Sequence, residues 1–104
     1  MQLSDTIDLM QSEDYKDRFK AEYLQTKIRY EKLKNLNNRI EAANRTANRT
    51  LRSLDGDQEQ KPVVEMPKHD SPDMLLREQQ NFMEQYLRTL EVRAAIEGVD
   101  IYET

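Results

Sequence analysis

From Tyr15 to Leu36 the apolar residues recur at helical steps. Tyr15, Phe19, Tyr23, Tyr30, Leu33 and Leu36 fall on one face of a helix, Leu24 and Ile28 widen it, and Lys and Arg fill most of the remainder. Asn35, Asn37 and Asn38 then interrupt the run with side chains that compete for backbone hydrogen bonds. The period resumes on smaller residues, at Ile40, Ala43, Ala47, Leu51 and Leu54. The pattern predicts one long helix over residues 13–54, capped by Ser12, bent near Asn37 and ended by Asp55-Gly56. At 1.5 Å per residue such a helix is about 60 Å long, more than the rest of the chain can cover.

Two further helices follow from the same reasoning. Ser4 can cap a short helix over residues 4–11, with Asp5 and Asp8 near its start and Leu3, Ile7 and Met10 as a small apolar edge. Two turns do not stand alone in water, so this piece folds back on the next helix or on a neighbouring subunit. Pro62 and Pro67 forbid a helix in the polar stretch 55–71, where Val63, Val64 and Met66 are candidates to dock on a helix and His69 reads as exposed. Ser71-Pro72-Asp73 then has the form of a helix start, and Leu75, Leu76, Phe82, Met83, Tyr86, Leu87, Leu90 and Ala94 make a wide stripe over residues 72–97. Gly98 sits where a left-handed cap belongs, with Val99 or Ile101 placed to close it. The expectation is an all-α single domain over residues 1–104: a short N-terminal helix plus a long antiparallel helical hairpin of coiled-coil character.

Composition narrows this further. With 104 residues, 37% hydrophobic and 35% charged, a single hairpin buries little, so a homo-oligomer held by the apolar stripes is expected. The chain has no cysteine, and its first ten residues, MQLSDTIDLM, lack the basic start and apolar run of a signal peptide. A cytoplasmic location with no membrane association is the expectation. The sequons at Asn44-Arg45-Thr46 and Asn48-Arg49-Thr50 then have no use.

Charge is uneven. Residues 1–14 carry four acids and no Lys or Arg, residues 15–54 carry eleven Lys/Arg against four Asp/Glu, and residues 55–104 carry five against twelve. A basic helix between acidic flanks has two explanations: complementary packing within a hairpin or between protomers, and an anion-binding face. NRTANRTL sets Arg45, Arg49 and Arg52 along one side of the extension, able to grip phosphate or carboxylate or simply to pair with acidic neighbours.

Catalytic chemistry is scarce. There is no Cys/His or Ser/His/Asp set, no glycine-rich phosphate loop and no His/carboxylate cluster with metal spacing, which argues against an enzyme, a metal or a cofactor. Glu78, Glu84 and Glu91 read as solvent-facing charges. The acidic net charge of −4 and the missing helix-turn-helix spacing argue against nucleic acid. Tyr15, Tyr23, Tyr30 and Tyr86 could stack on nucleotide bases beside Lys16, Arg18, Lys20, Lys27 or Arg29, although aromatic stripes at this spacing are commonly core.

The segments LSDTIDLMQSEDYKDRFKAEYLQTKIRYEKLKN (residues 3–35) and MLLREQQNFMEQYLRTLEVRAAIEGVDI (residues 74–101) resemble a family of small phage proteins named after a crAss-like gut phage. Residues 36–73 depart from it, since the family joins the two helices by a shorter linker. The resemblance implies a phage gene product acting inside a bacterium and brings no activity with it. Small non-enzymatic phage proteins act by binding, and helical-hairpin sponges for cyclic-nucleotide immune signals are an analogy at the level of fold.

The leading expectation is therefore a phage-encoded, non-catalytic inhibitor of bacterial immunity that sequesters a nucleotide signal in an oligomer. Its candidate ligand-binding residues are Tyr15, Arg18, Tyr23, Lys27 and Tyr30, with Arg45 and Arg49 as a second site. The alternatives are a protein–protein inhibitor of a defence effector, anti-CRISPR-like, and a structural or accessory helical phage protein.

Overall fold

The computed structural model describes the backbone of residues 1–53 and 64–102, and side chains over 1–47 and 64–102. A 3₁₀ turn at Leu3–Thr6 leads into α1 (Ile7–Met10), then the 39-residue α2 (Tyr15–Ser53) and the 25-residue α3 (Asp73–Glu97). Among the described residues there is no strand. The molecule is a rod of 65 × 24 × 22 Å. The expected end of α2 at Asp55-Gly56 and the docking of Val63 lie outside the described residues.

Charge and hydrogen bonding decide where α2 begins. Ser12 is not its cap: Asp14 accepts the Lys16 N–H at 3.0 Å on Oδ1, and its carbonyl accepts the Arg18 N–H at 3.2 Å. A carboxylate satisfies these orphan amides better than a hydroxyl, because it also meets the positive end of the helix dipole. Ser12 instead braces the turn, accepting the Asp14 N–H and donating to Asp17 at 2.7 Å. The helix then runs unbroken through Asn37.

The N-terminal piece folds back on α2 of its own chain. Its first turn is tied by Gln2 N–H donating to Asp5 at 2.8 Å rather than by Ser4. Thr6 is fully buried, donates to the Leu3 carbonyl and accepts from Gln25 Nε2 at 2.9 Å, which pins the segment to the flank of α2 carrying Ala21, Leu24 and Gln25.

α3 returns antiparallel along the other flank. Phe19, Tyr23 and Leu24 of α2 meet Leu87, Leu90 and Ala94 of α3, and Val99 and Ile101 seal the end. Gly98 takes φ 70°, ψ 36°, and Val99 N–H reaches the Ala94 carbonyl at 2.9 Å, the two marks of a Schellman cap. At the far end, buried Asn37 donates to the Leu76 carbonyl at 3.2 Å and to Gln80 Oε1 at 2.8 Å. This polar clamp ties the middle of α2 to the first turns of α3.

Three details differ from expectation around the linker. His69 is half-buried: Nδ1–H donates to the Ser71 carbonyl at 2.7 Å and Nε2 lies 3.2 Å from Asp73, so the imidazole braces the start of α3. Pro72 is the N-cap rather than the first helical residue. Pro67 is buried while Val64 and Met66 stay exposed. A rigid ring loses little freedom on burial, so burying Pro67 costs little side-chain entropy.

Candidate functional site

At about 100° per residue, Tyr30 shares a flank of α2 with Lys27, three residues before it, and Lys34, four after it. Tyr30 is half-buried and packs against the core, whereas both lysines are exposed and none of Lys20, Lys27 and Lys34 has an ion-pair partner among the described residues. Lys16 and Lys20 continue the same row toward the start of the helix, with Lys16 Nζ beside Gly98. The result is an aromatic edge bordered by a line of cations, with exposed Glu31 standing between Lys27 and Lys34 at four- and three-residue steps. Lys34 was not singled out from the sequence, though its seven-residue interval from Lys27 is the signal for it.

The other expected site residues are dispersed. Tyr23 is 2% exposed, and its hydroxyl donates to Glu91 at 2.9 Å. Burial first, and the Glu91 bond second, push its phenol well above the usual tyrosine range. Tyr23 is thus a clasp of the hairpin, and Glu91 is half-buried rather than solvated. Tyr15 is exposed. Arg18 donates to the Ser12 carbonyl at 2.8 Å. Nine residues separate Arg18 from Lys27, which places them on opposite flanks of α2, so one chain does not bring them together. Arg45 pairs with Glu41 at 2.7 Å on an exposed turn. The Arg49 and Arg52 side chains lie outside the described residues.

The opposite flank of the hairpin has a different character. Leu75, Glu78, Gln79, Phe82, Met83 and Tyr86 line an open groove of about 450 Å³. Tyr86 donates to Glu22, and that bond, with partial burial, raises its phenol too. Beyond it, the Arg93 guanidinium lies 4.8 Å from the Phe19 ring centroid and bonds Glu97 at 2.8 Å. Among the described residues no three His, Asp or Glu side chains converge as a metal site, and no helix is long and apolar enough to cross a membrane.

A sequence model of the Sequestin family matches residues 13–96, which is well over half of the chain and spans both hairpin helices. The chain belongs to the Sequestin family. The match begins just before α2 and ends within the last turn of α3, so the family hairpin is the part that carries the lysine row and Tyr30. The name describes a protein that sequesters a partner, which agrees with a binding role. Comparison with curated proteins and with solved structures gives no match. The family match also runs through residues 36–73, between the two segments that carried the resemblance read from the sequence.

Proposed function

We propose that this Sequestin-family chain is a non-catalytic sequestering protein whose ligand is a nucleotide immune signal, and that it is a phage product acting against bacterial immunity in the host cytoplasm. The observation that carries the reading is Tyr30 at the edge of the core with exposed Lys27 and Lys34 on its flank. A base can stack on the tyrosine edge while the two ammonium groups take phosphate oxygens, a division of labour in which each contact is worth about 1–3 kcal/mol. Tyr23 and Glu91 serve this site indirectly, by fixing the α2 face against α3.

The direct test is native mass spectrometry of the purified protein with a panel of cyclic oligonucleotides and linear nucleotides. One of them is expected to add its mass to the protein. The double variant Lys27→Ala/Lys34→Ala, with an unchanged helical circular dichroism signal, is expected to lose that adduct. Tyr30→Leu, which keeps the buried apolar area, is expected to weaken binding about tenfold or more. If no nucleotide adds mass, or if the lysine variant binds as tightly as the parent, the reading is wrong and a protein target takes precedence.

A further inference from the structure

Past the Gly98 cap the chain stays held to the hairpin. Val99 and Ile101 are 8% and 3% exposed and belong to the buried cluster that contains Phe19, Tyr23 and Leu24. Tyr102 N–H then donates to Asp100 Oδ1 at 3.0 Å, which fixes the backbone one residue further. On this held backbone the Tyr102 ring is 75% exposed, whereas Tyr23 in the cluster is 2% exposed. Tyr102 lies beyond the end of the family match and was not among the residues singled out from the sequence.

Helix geometry places that ring. The tail leaves α3 beside the lysine row, since Lys16 Nζ lies next to Gly98. Tyr23 and Leu24, adjacent in sequence, stand about 100° apart around α2, and by the same step Lys20 and Lys27 project between them. A tail that shares one cluster with both Tyr23 and Leu24 therefore runs along the lysine flank. Lys20 is half-buried there without an ion-pair partner among the described residues, as a lysine is when its stem is covered and its head stays wet. Tyr102 follows Ile101 on this flank. Its phenol adds through space to the rise in the Tyr23 pKa, behind burial and the Glu91 bond, so the two rings are near one another. Tyr30 comes seven residues after Tyr23, with Lys27 between them along the helix.

We propose that Tyr102 is a second aromatic contact of the nucleotide site, set on the other side of Lys27 from Tyr30. The inference rests on the nucleotide reading above and adds a specificity-determining residue to it. An exposed ring on a fixed backbone stacks on a base at little cost in ordering. Glu91 and Glu31 act on the neighbouring Tyr23 phenol, and carboxylates disfavour phosphate at this end of the row. The part of the ligand that meets Tyr102 is therefore a base, while the phosphates go to the lysines.

The test uses the full chain and whichever nucleotide of the panel adds mass to the parent. Tyr102→Ala is expected to weaken its binding about tenfold or more, with helical signal and urea midpoint unchanged because the ring is exposed. Tyr102→Phe keeps the ring and is expected to bind within about twofold of the parent. The chain has no tryptophan, so Tyr102→Trp introduces a lone indole whose emission is expected to change as the nucleotide saturates the protein. Tyr102→Ala binding as tightly as the parent, while Lys27→Ala/Lys34→Ala loses the adduct, overturns this inference and leaves the nucleotide reading standing. Indole emission that stays constant through saturation does the same. A parent that takes up no nucleotide overturns both.

Discussion

The inner and outer faces of α3 both carry large apolar residues on one helix, yet one is packed against α2 and the other faces solvent. Inside, Leu87, Leu90 and Ala94 are buried against Phe19, Tyr23 and Leu24. Outside, Leu75, Phe82, Val92 and Ile96 offer comparable apolar area to solvent. The inner face adds polar clasps, Asn37 to Gln80 and Tyr23 to Glu91, and Tyr86 at its margin bonds Glu22. Such bonds demand one register, so they fix how the chain folds on itself. The outer face, at Leu75, Phe82, Val92 and Ile96, is exposed and lies outside the core that joins α2 to α3. A face packed against α2 and a face turned to solvent should respond differently to the same kind of substitution.

The largest expected contrast is between Leu90→Ala and Phe82→Ala. Leu90 is 2% exposed, and its truncation should cost about 2–5 kcal/mol by urea unfolding. Phe82→Ala should leave the stability of a dilute, monomeric sample within about 0.5 kcal/mol of the parent. Equal losses in that dilute sample would break the distinction.

Asn37→Ala should come next. It leaves the Leu76 carbonyl and the Gln80 side chain short of a donor at a buried position, a loss of about 1–3 kcal/mol. Replacing exposed Asn38 by Ala, one residue away, is the control and should be nearly silent.

Tyr23→Phe is expected to cost about 1 kcal/mol at neutral pH through the lost bond to Glu91. Its pH dependence is more telling. Burial and Glu91 raise the folded-state pKa of Tyr23 above the unfolded value near 10. The folded state then holds its proton where the unfolded state releases it. This contribution is fully present below pH ~10 and is lost as pH rises above it. Alkaline unfolding followed from pH 8 to 11 should be steeper in the parent than in Tyr23→Phe, and identical slopes would remove Tyr23 from the clasp.

The smallest effect is at Gly98. A Cβ there meets only Lys16 Nζ at 3.8 Å, so Gly98→Ala is disfavoured by its φ of 70° rather than by crowding. A loss of about 1 kcal/mol is expected.

The elements of this protein were largely legible in the sequence because each has its own local signal. The α2 period, the α3 stripe and the Gly98 cap with Val99 and Ile101 all came from spacings of a few residues. The candidate site was legible only in part. Tyr30 and Lys27 share a flank, Lys34 joins them through a seven-residue interval, and Arg18 lies on the opposite side. Tyr23 was a stacking candidate by type, and its partner Glu91, 68 residues away, shows it to be a clasp. His69 read as exposed because nothing local announces that Ser71 and Asp73 will close around its ring.

What the sequence determined by itself was therefore the helices, their amphipathicity and the Gly98 cap, since these depend on neighbours within about four residues. What the tertiary structure alone decided was how the wide apolar stripe of α3 divides, Leu76, Leu87, Leu90 and Ala94 turning to α2 while Leu75 and Phe82 face away. That choice rests on matching α3 against Asn37, Tyr23 and Phe19 of α2, contacts between residues some forty to seventy positions apart whose register no local pattern encodes.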